Sequence, residues 1–126
     1  MKKTGLGVDG EQLACDYLSS LGFKVLEQNF TSRFGEIDII ATKDGYLCFV
    51  EVKTRSSKGN LATGLESISQ AKQQRLIKSA EYYLATHRNF VAKADLQPRF
   101  DCMEINVDDD INTAKIRLIE NAFCID

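Results

Sequence analysis

Residues 35–54 read GEIDIIATKDGYLCFVEVKT, and this stretch decides the fold. β-Branched and aromatic residues flank Asp44-Gly45, a dipeptide that favours the type I′ turn of a two-residue hairpin. That turn fixes the register. Paired residues then have numbers summing to 89, so Asp38 faces Glu51 and Glu36 faces Lys53. Side chains two apart share a strand face, and the pattern therefore brings Glu36, Asp38, Glu51 and Lys53 together. Ile37, Ile39, Val50 and Val52 are expected to bury the opposite face.

Two opposed carboxylates repel unless a cation bridges them, and an oxygen-only set suits Mg²⁺ or Mn²⁺ better than zinc. A metal held by Asp38 and Glu51 would lower the pKa of a bound water. Lys53, kept charged by its acidic neighbours, would orient that water or neutralise a phosphoryl oxygen. Such a set suits phosphodiester hydrolysis. An ordinary cross-strand ion-pair ladder, at roughly 0.2–1 kcal/mol per pair, would use the same residue types and stays open at this point.

Outward from the hairpin, Leu13, Ala14, Tyr17, Leu18 and Leu21 recur at helical spacing and predict a helix over 8–21, capped by Asp9 and ended by Gly22. Glu11 falls at the margin of its apolar stripe, able to reach the sheet or simply to complement the helix dipole. A first strand is expected over 23–30 and a polar connection containing Arg33 over 29–34. After Lys53 comes a glycine- and serine-bearing loop over 55–64. A second helix is expected over 67–87, with Leu76, Ile77, Ala80, Tyr83 and Leu84 on one face and Lys72, Arg75 and Lys78 on the opposite one. His87, the single histidine, lies near its C-terminus with no nucleophile to pair with. Residues 88–98 read as a linker, followed by strands from Arg99 to Val107 and from Lys115 to Ile119, with Asp108-Asp109-Asp110 as a turn between them.

The expected order is α-β-β-β-α-β-β, an α/β chain with helices covering a mixed sheet. The 126 residues, 44% of them hydrophobic, suit a single domain over 1–126. No run of about 18 apolar residues could span a bilayer, and the N-terminus lacks an apolar signal core, so a cytoplasmic protein with no membrane partner is expected. Cys15, Cys48, Cys102 and Cys124 lack metal-ligand spacing and read as reduced core thiols. The net charge of −2 is unevenly spread: −3 over residues 1–51, +6 over 52–93 and −5 over 94–126. A basic middle joined to an acidic cluster suits a polyanion substrate, although a solvated basic helix face would give the same count.

The segment Ile37-Asp38, twelve intervening residues, then Glu51-Val52-Lys53 resembles the PD-(D/E)xK signature of the restriction-endonuclease-like superfamily. Gly10-Glu11, Ala14, Tyr17-Leu18, Gly22-Phe23, Asn29, Gly35-Glu36-Ile37-Asp38, Phe49 to Lys53, Arg55, Arg99-Phe100-Asp101 and Ala122-Phe123 together resemble the YraN-type family of small bacterial predicted nucleases, nearly end to end. The resemblance implies a restriction-endonuclease-like mixed sheet and a metal-dependent endonuclease acting on DNA, on branched or damaged structures. It implies Asp38 and Glu51 as ligands of Mg²⁺ or Mn²⁺, the backbone carbonyl of Val52 as a further ligand, and Lys53 at the attacking water or the transition state. Glu11 matches a helix-one glutamate that archaeal Holliday-junction resolvases of the superfamily place near the metal. Glu36 matches the Gly-Glu-Ile-Asp patch as an auxiliary residue that sets the charge of Lys53. Ile37 stands where the superfamily typically has proline. Arg33, Arg55, Lys72 and Arg75 are the expected phosphate contacts. Cutting both strands of a duplex needs two sites, which leaves a homodimer or a partner protein open. The rival is a noncatalytic module that binds nucleic acid or protein on the same fold.

Overall fold

A computed structural model of the chain describes residues 10–56, 69–107 and 115–123. The elements are α1 (Gly10–Ser20), β1 (Lys24–Ser32), β2 (Gly35–Lys43), β3 (Tyr46–Ser56), α2 (Gln70–Thr86), α3 (Arg88–Ala94), β4 (Gln97–Val107) and β5 (Lys115–Phe123). The strands form one mixed sheet in the order β1-β2-β3-β4-β5, antiparallel throughout except for the parallel pair β3–β4. The expected α-β-β-β-α-β-β order stands. One short helix, α3, is added inside the stretch expected as a linker: Val91 packs against the α2 side of the core, and Asp95 in the left-handed conformation ends the helix.

The turn chemistry of the hairpin acts as its dipeptide dictates. Asp44 and Gly45 take φ of 52° and 84°, the pair of positive values a type I′ turn needs, and five pairs from Lys43↔Tyr46 to Ile39↔Val50 keep the sum of 89. The same turn seats β4, because the Gly45 carbonyl accepts the Gln97 N–H at 2.9 Å. Parallel strands cannot be joined by a tight turn, so the chain between β3 and β4 must cross the sheet, and α2 is carried by that crossover. β1 runs past its expected end to Ser32, paired to Gly35 of β2, with a bulge between Val25 and Glu27.

The two faces of the sheet are covered by different helices. Ala14, Cys15 and Leu18 of α1 pack with Ile39, Ala41, Cys48, Val50, Met103 and Ile105. Leu76, Ala80 and Tyr83 of α2 pack with Ile37, Ile40, Leu47, Phe49 and Phe100. Burying each of these larger side chains contributes about 1.5–3 kcal/mol. Ile37 therefore belongs to the α2 side while Ile39 belongs to the α1 side, and the expectation that both lie behind the acidic cluster is corrected: the facing of β2 changes at Asp38.

Both helix ends near the sheet have identifiable causes. Gly22, at φ 95°, closes α1 with its N–H on the Ser19 carbonyl at 3.1 Å and the Phe23 N–H on the Leu18 carbonyl at 3.0 Å. Ser69 caps α2, its hydroxyl accepting the Lys72 N–H at 3.2 Å, so this helix begins two to three residues later than its pattern suggests. Gly10 lies against β3 so closely that a Cβ there would collide with Thr54 Oγ1. Only the smallest residue lets the first turn of α1 settle on the strand. No helix among the described residues is long and apolar enough to cross a membrane. The expected Asp9 cap, residues 57–64 of the loop, the 108–110 turn and Cys124 lie outside the described residues.

Candidate nucleic-acid cleavage site

The β2–β3 ladder ends at Ile39↔Val50, one step short of the Asp38–Glu51 and Glu36–Lys53 pairs that a continued register would give. The reason is chemical. Asp38 Oδ2 accepts the Val52 N–H at 2.8 Å, so a side-chain oxygen replaces the backbone partner that β2 would have offered, and the strands part there. The N–H and carbonyl of one extended residue leave the strand on the same side, so the Val52 carbonyl is directed toward β2 as well.

Parting the strands opens a cleft of about 180 Å³ lined by Gly35, Glu36, Asp38, Glu51, Lys72, Arg75 and Leu76. Asp38 and Glu51 both line this cleft, and the charge of each bears on the other. Burial, then the Glu51 charge, then the charge of Glu11, push Asp38 from 3.8 up to about 7, against the lowering effect of the Val52 N–H. Glu51 is buried at 4% exposure, and its Oε2 carries two ammonium groups: Lys72 Nζ pairs with it directly and Lys53 Nζ lies at 3.5 Å. Burial and the neighbouring Lys72 lower the pKa of Lys53, while the Glu51 carboxylate pulls it up as expected. Lys72 is the opposite case. Burial pushes it down, but Glu51 outweighs burial and its pKa is raised.

The predicted site residues separate into those the fold brings together and those it does not. Asp38, Glu51 and Lys53 converge, with Glu11 of α1 half-buried and near enough to act on Asp38 through its charge. Glu36 is exposed on the cleft rim, paired across β1 with Thr31 rather than across β3 with Lys53. Arg75 lines the cleft wall. Arg33 is exposed at the β1–β2 turn, its guanidinium 5.0 Å from the Phe34 ring. Arg55 is turned to Glu104, Nε to Oε2 at 3.7 Å, too long for a hydrogen bond, and both atoms are buried without a hydrogen-bond partner. Lys72 was expected on the face of α2 away from Leu76, and the structure overturns this. Lys72 precedes Leu76 by four residues, a spacing that puts both on one side of a helix, and that spacing is the signal which places it in the site.

A hard cation fits this donor set, because Asp38 and Glu51 are oxygen donors whose mutual repulsion is relieved only by a proton or a cation. Glu11, half-buried on α1, adds a third carboxylate whose charge acts on Asp38.

Three other features are structural. Asp101, fully buried, takes Arg99 Nε on Oδ1 and Nη2 on Oδ2, each at 2.9 Å, and the Asn121 N–H on Oδ1 at 2.9 Å. The Arg99 guanidinium also reaches Glu120 Oε2 at 3.3 Å and lies 4.8 Å from the Tyr46 ring. His87 stacks on Tyr83 at 3.8 Å, with Nδ1 2.8 Å from the Tyr83 carbonyl. Cys15, Cys48 and Cys102 are free and buried, and burial raises the Cys48 thiol to about 12 and the Cys102 thiol to about 11.

Residues 10–105 match the family described as "Uncharacterised protein family UPF0102". The chain is 45% identical over 120 residues to a UPF0102 protein of Caldicellulosiruptor bescii, covering 94% of this chain and 96% of the relative. It is 42% identical over 123 residues to a UPF0102 protein of Caldanaerobacter subterraneus subsp. tengcongensis, covering 97% and 96%. A UPF0102 protein of Thermodesulfovibrio yellowstonii is likewise 42% identical over 123 residues, with 98% and 99% covered.

Proposed function

The chain belongs to the UPF0102 family, and from that premise and the chemistry of its cleft we propose that it is a metal-dependent endonuclease hydrolysing phosphodiester bonds in DNA. One observation carries the reading: Asp38 and Glu51 meet at the open end of a hairpin, with Lys53 one pleat further and Lys72 and Arg75 on the facing wall. A salt-bridge ladder would not set two carboxylates against each other. The resemblance to the PD-(D/E)xK superfamily and its archaeal resolvases supports the same assignment.

Mg²⁺ or Mn²⁺, when bound, supplies a Lewis acid and a water of lowered pKa. Asp38, Glu51 and the Val52 carbonyl would hold it. Glu11, through its charge on Asp38, increases the demand for a cation. Lys53, partly relieved of its proton affinity by burial and Lys72, is suited to donate to a phosphoryl oxygen or to orient the attacking water. Arg75 would bind a flanking phosphate, with Arg33 at the β1–β2 turn as an outer contact. Branched or damaged DNA is the substrate class this reading takes, worked on in the cytoplasm, with double-strand cleavage calling for a homodimer or a partner.

The test is incubation with Mg²⁺ or Mn²⁺ and linear, single-stranded, flapped and four-way DNA, alongside RNA. The wild type should cut at least one DNA substrate, and Lys53→Ala and Asp38→Asn should each lower the rate by about 10²–10³-fold. Equal inertness of all three on every substrate, with binding retained, would sink the nuclease reading. It would favour the second one, a noncatalytic nucleic-acid- or protein-binding module.

A further inference from the structure

We propose that Lys72 is a tethered cation competing with the metal for Glu51, and that a polyanion entering the cleft draws it away, so that metal and nucleic acid bind cooperatively. This rests on the metal reading above and adds a coupling to it. Lys72 Nζ sits on Glu51 Oε2, in the cleft that Asp38 also lines. An oxygen that carries an ammonium cannot give its full charge to a divalent ion, so the two cations exclude each other in proportion to their hold on Glu51. Lys53 does not fill the same role, because its ammonium stands off at 3.5 Å.

The location of Lys72 on α2 makes it the movable member. It lies in the first turn, three residues after the Ser69 cap, and no acidic residue shares that turn. The positive end of a helix dipole disfavours a cation there, so Glu51 is what holds the ammonium inward. The side chain is 33% exposed and has an open path outward. Arg75, exposed one turn along, lines the same cleft, so a phosphate that meets Arg75 also offers Lys72 a new partner without moving the helix. Each ligand then raises the affinity for the other, and linkage requires the two factors to be equal.

Titration calorimetry of Mn²⁺ into the full chain tests this, with and without a short phosphorothioate duplex that resists cleavage. Lys72→Met should bind Mn²⁺ about 5–10-fold more tightly than wild type. The duplex should tighten Mn²⁺ binding by a similar factor in wild type and by little in Lys72→Met. Lys72→Gln, equally uncharged, should behave as Lys72→Met does, and far-UV circular dichroism checks that both fold. Lys78→Met, which removes the same charge from an exposed position of α2, should leave Mn²⁺ binding at the wild-type value. Equal Mn²⁺ affinities for wild type and both Lys72 variants, with Asp38→Asn weakened, would overturn the competition and leave the metal site standing. Equal tightening by Lys78→Met would reduce the effect to net charge and overturn it too. Absence of Mn²⁺ binding in wild type and variants alike would remove the metal reading and this inference together.

Discussion

Two acidic groups on the same sheet, one buried and one half-buried, are treated in opposite ways. Asp101 on β4 is fully enclosed and fully answered: a bidentate guanidinium and a backbone N–H meet both its oxygens. Asp38 on β2 has one N–H and stands against the carboxylates of Glu51 and Glu11, with the Lys72 ammonium in the same cleft. The first arrangement is a completed network that fixes where β4 and β5 lie relative to each other. The second is a charge deficit kept open to a cleft. A fold that can build the first has no need of the second for its own stability, and the difference separates a structural ion pair from a binding site.

The comparison can be broken at three points. Asp101→Ala leaves the Arg99 guanidinium 13% exposed without its main partner, and should cost about 3–5 kcal/mol in urea unfolding; a loss under about 1 kcal/mol would mean that the cluster does not hold the strands. Asp38→Asn should act in the other direction. The folded carboxyl titrates near 7 against an ordinary 3.8, so the folded state binds its proton more tightly. The associated stability is present below the ordinary carboxylate range and is lost as pH rises through 7. Asparagine keeps the acceptor for the Val52 N–H and can donate to Glu51, so the variant should match wild type near pH 4 and exceed it by about 1–3 kcal/mol at pH 8, followed by thermal melts in EDTA. A constant difference across that range would show that Asp38 is not the titrating group. The smallest effect is expected at Gly10. Gly10→Ala should lose about 1 kcal/mol through the clash with Thr54, and Thr54→Ala in the same chain should restore it. Failure of the second change to rescue the first would place the tight contact elsewhere.

Much of this was legible in the sequence because short-range chemistry decides it. Asp44-Gly45 sets a turn, the turn sets a register, and the register brings Asp38 near Glu51. What was not legible depends on tertiary context. The ladder stops at Ile39 because the Asp38 side chain takes a backbone donor, an event no pairing rule contains. Residues 88–94 carry no strong helical stripe, and α3 forms where Val91 finds the α2 side of the core. Arg55 has the composition of a phosphate contact, and its approach to Glu104 Oε2 at 3.7 Å depends on the β3–β4 pairing, which no local pattern contains. Lys72 was legible as a cation near the site, and its contact with Glu51 was not, because that depends on how α2 seats against β3.

The strand order has a consequence for how the chain is made. β1, β2 and β3 follow one another in space as in sequence, joined by turns of two residues, so their pairing needs only local contacts. The β3–β4 pairing must wait for the crossover that carries α2. A chain emerging from its N-terminus thus presents Asp38 and Glu51 before Lys72 has been synthesised, and the nascent hairpin carries its acidic pair without the ammonium that later answers it. Until α2 arrives, Lys53 of the same hairpin is the one ammonium described beside Glu51, and protons and dissolved cations supply the rest of the counter-charge.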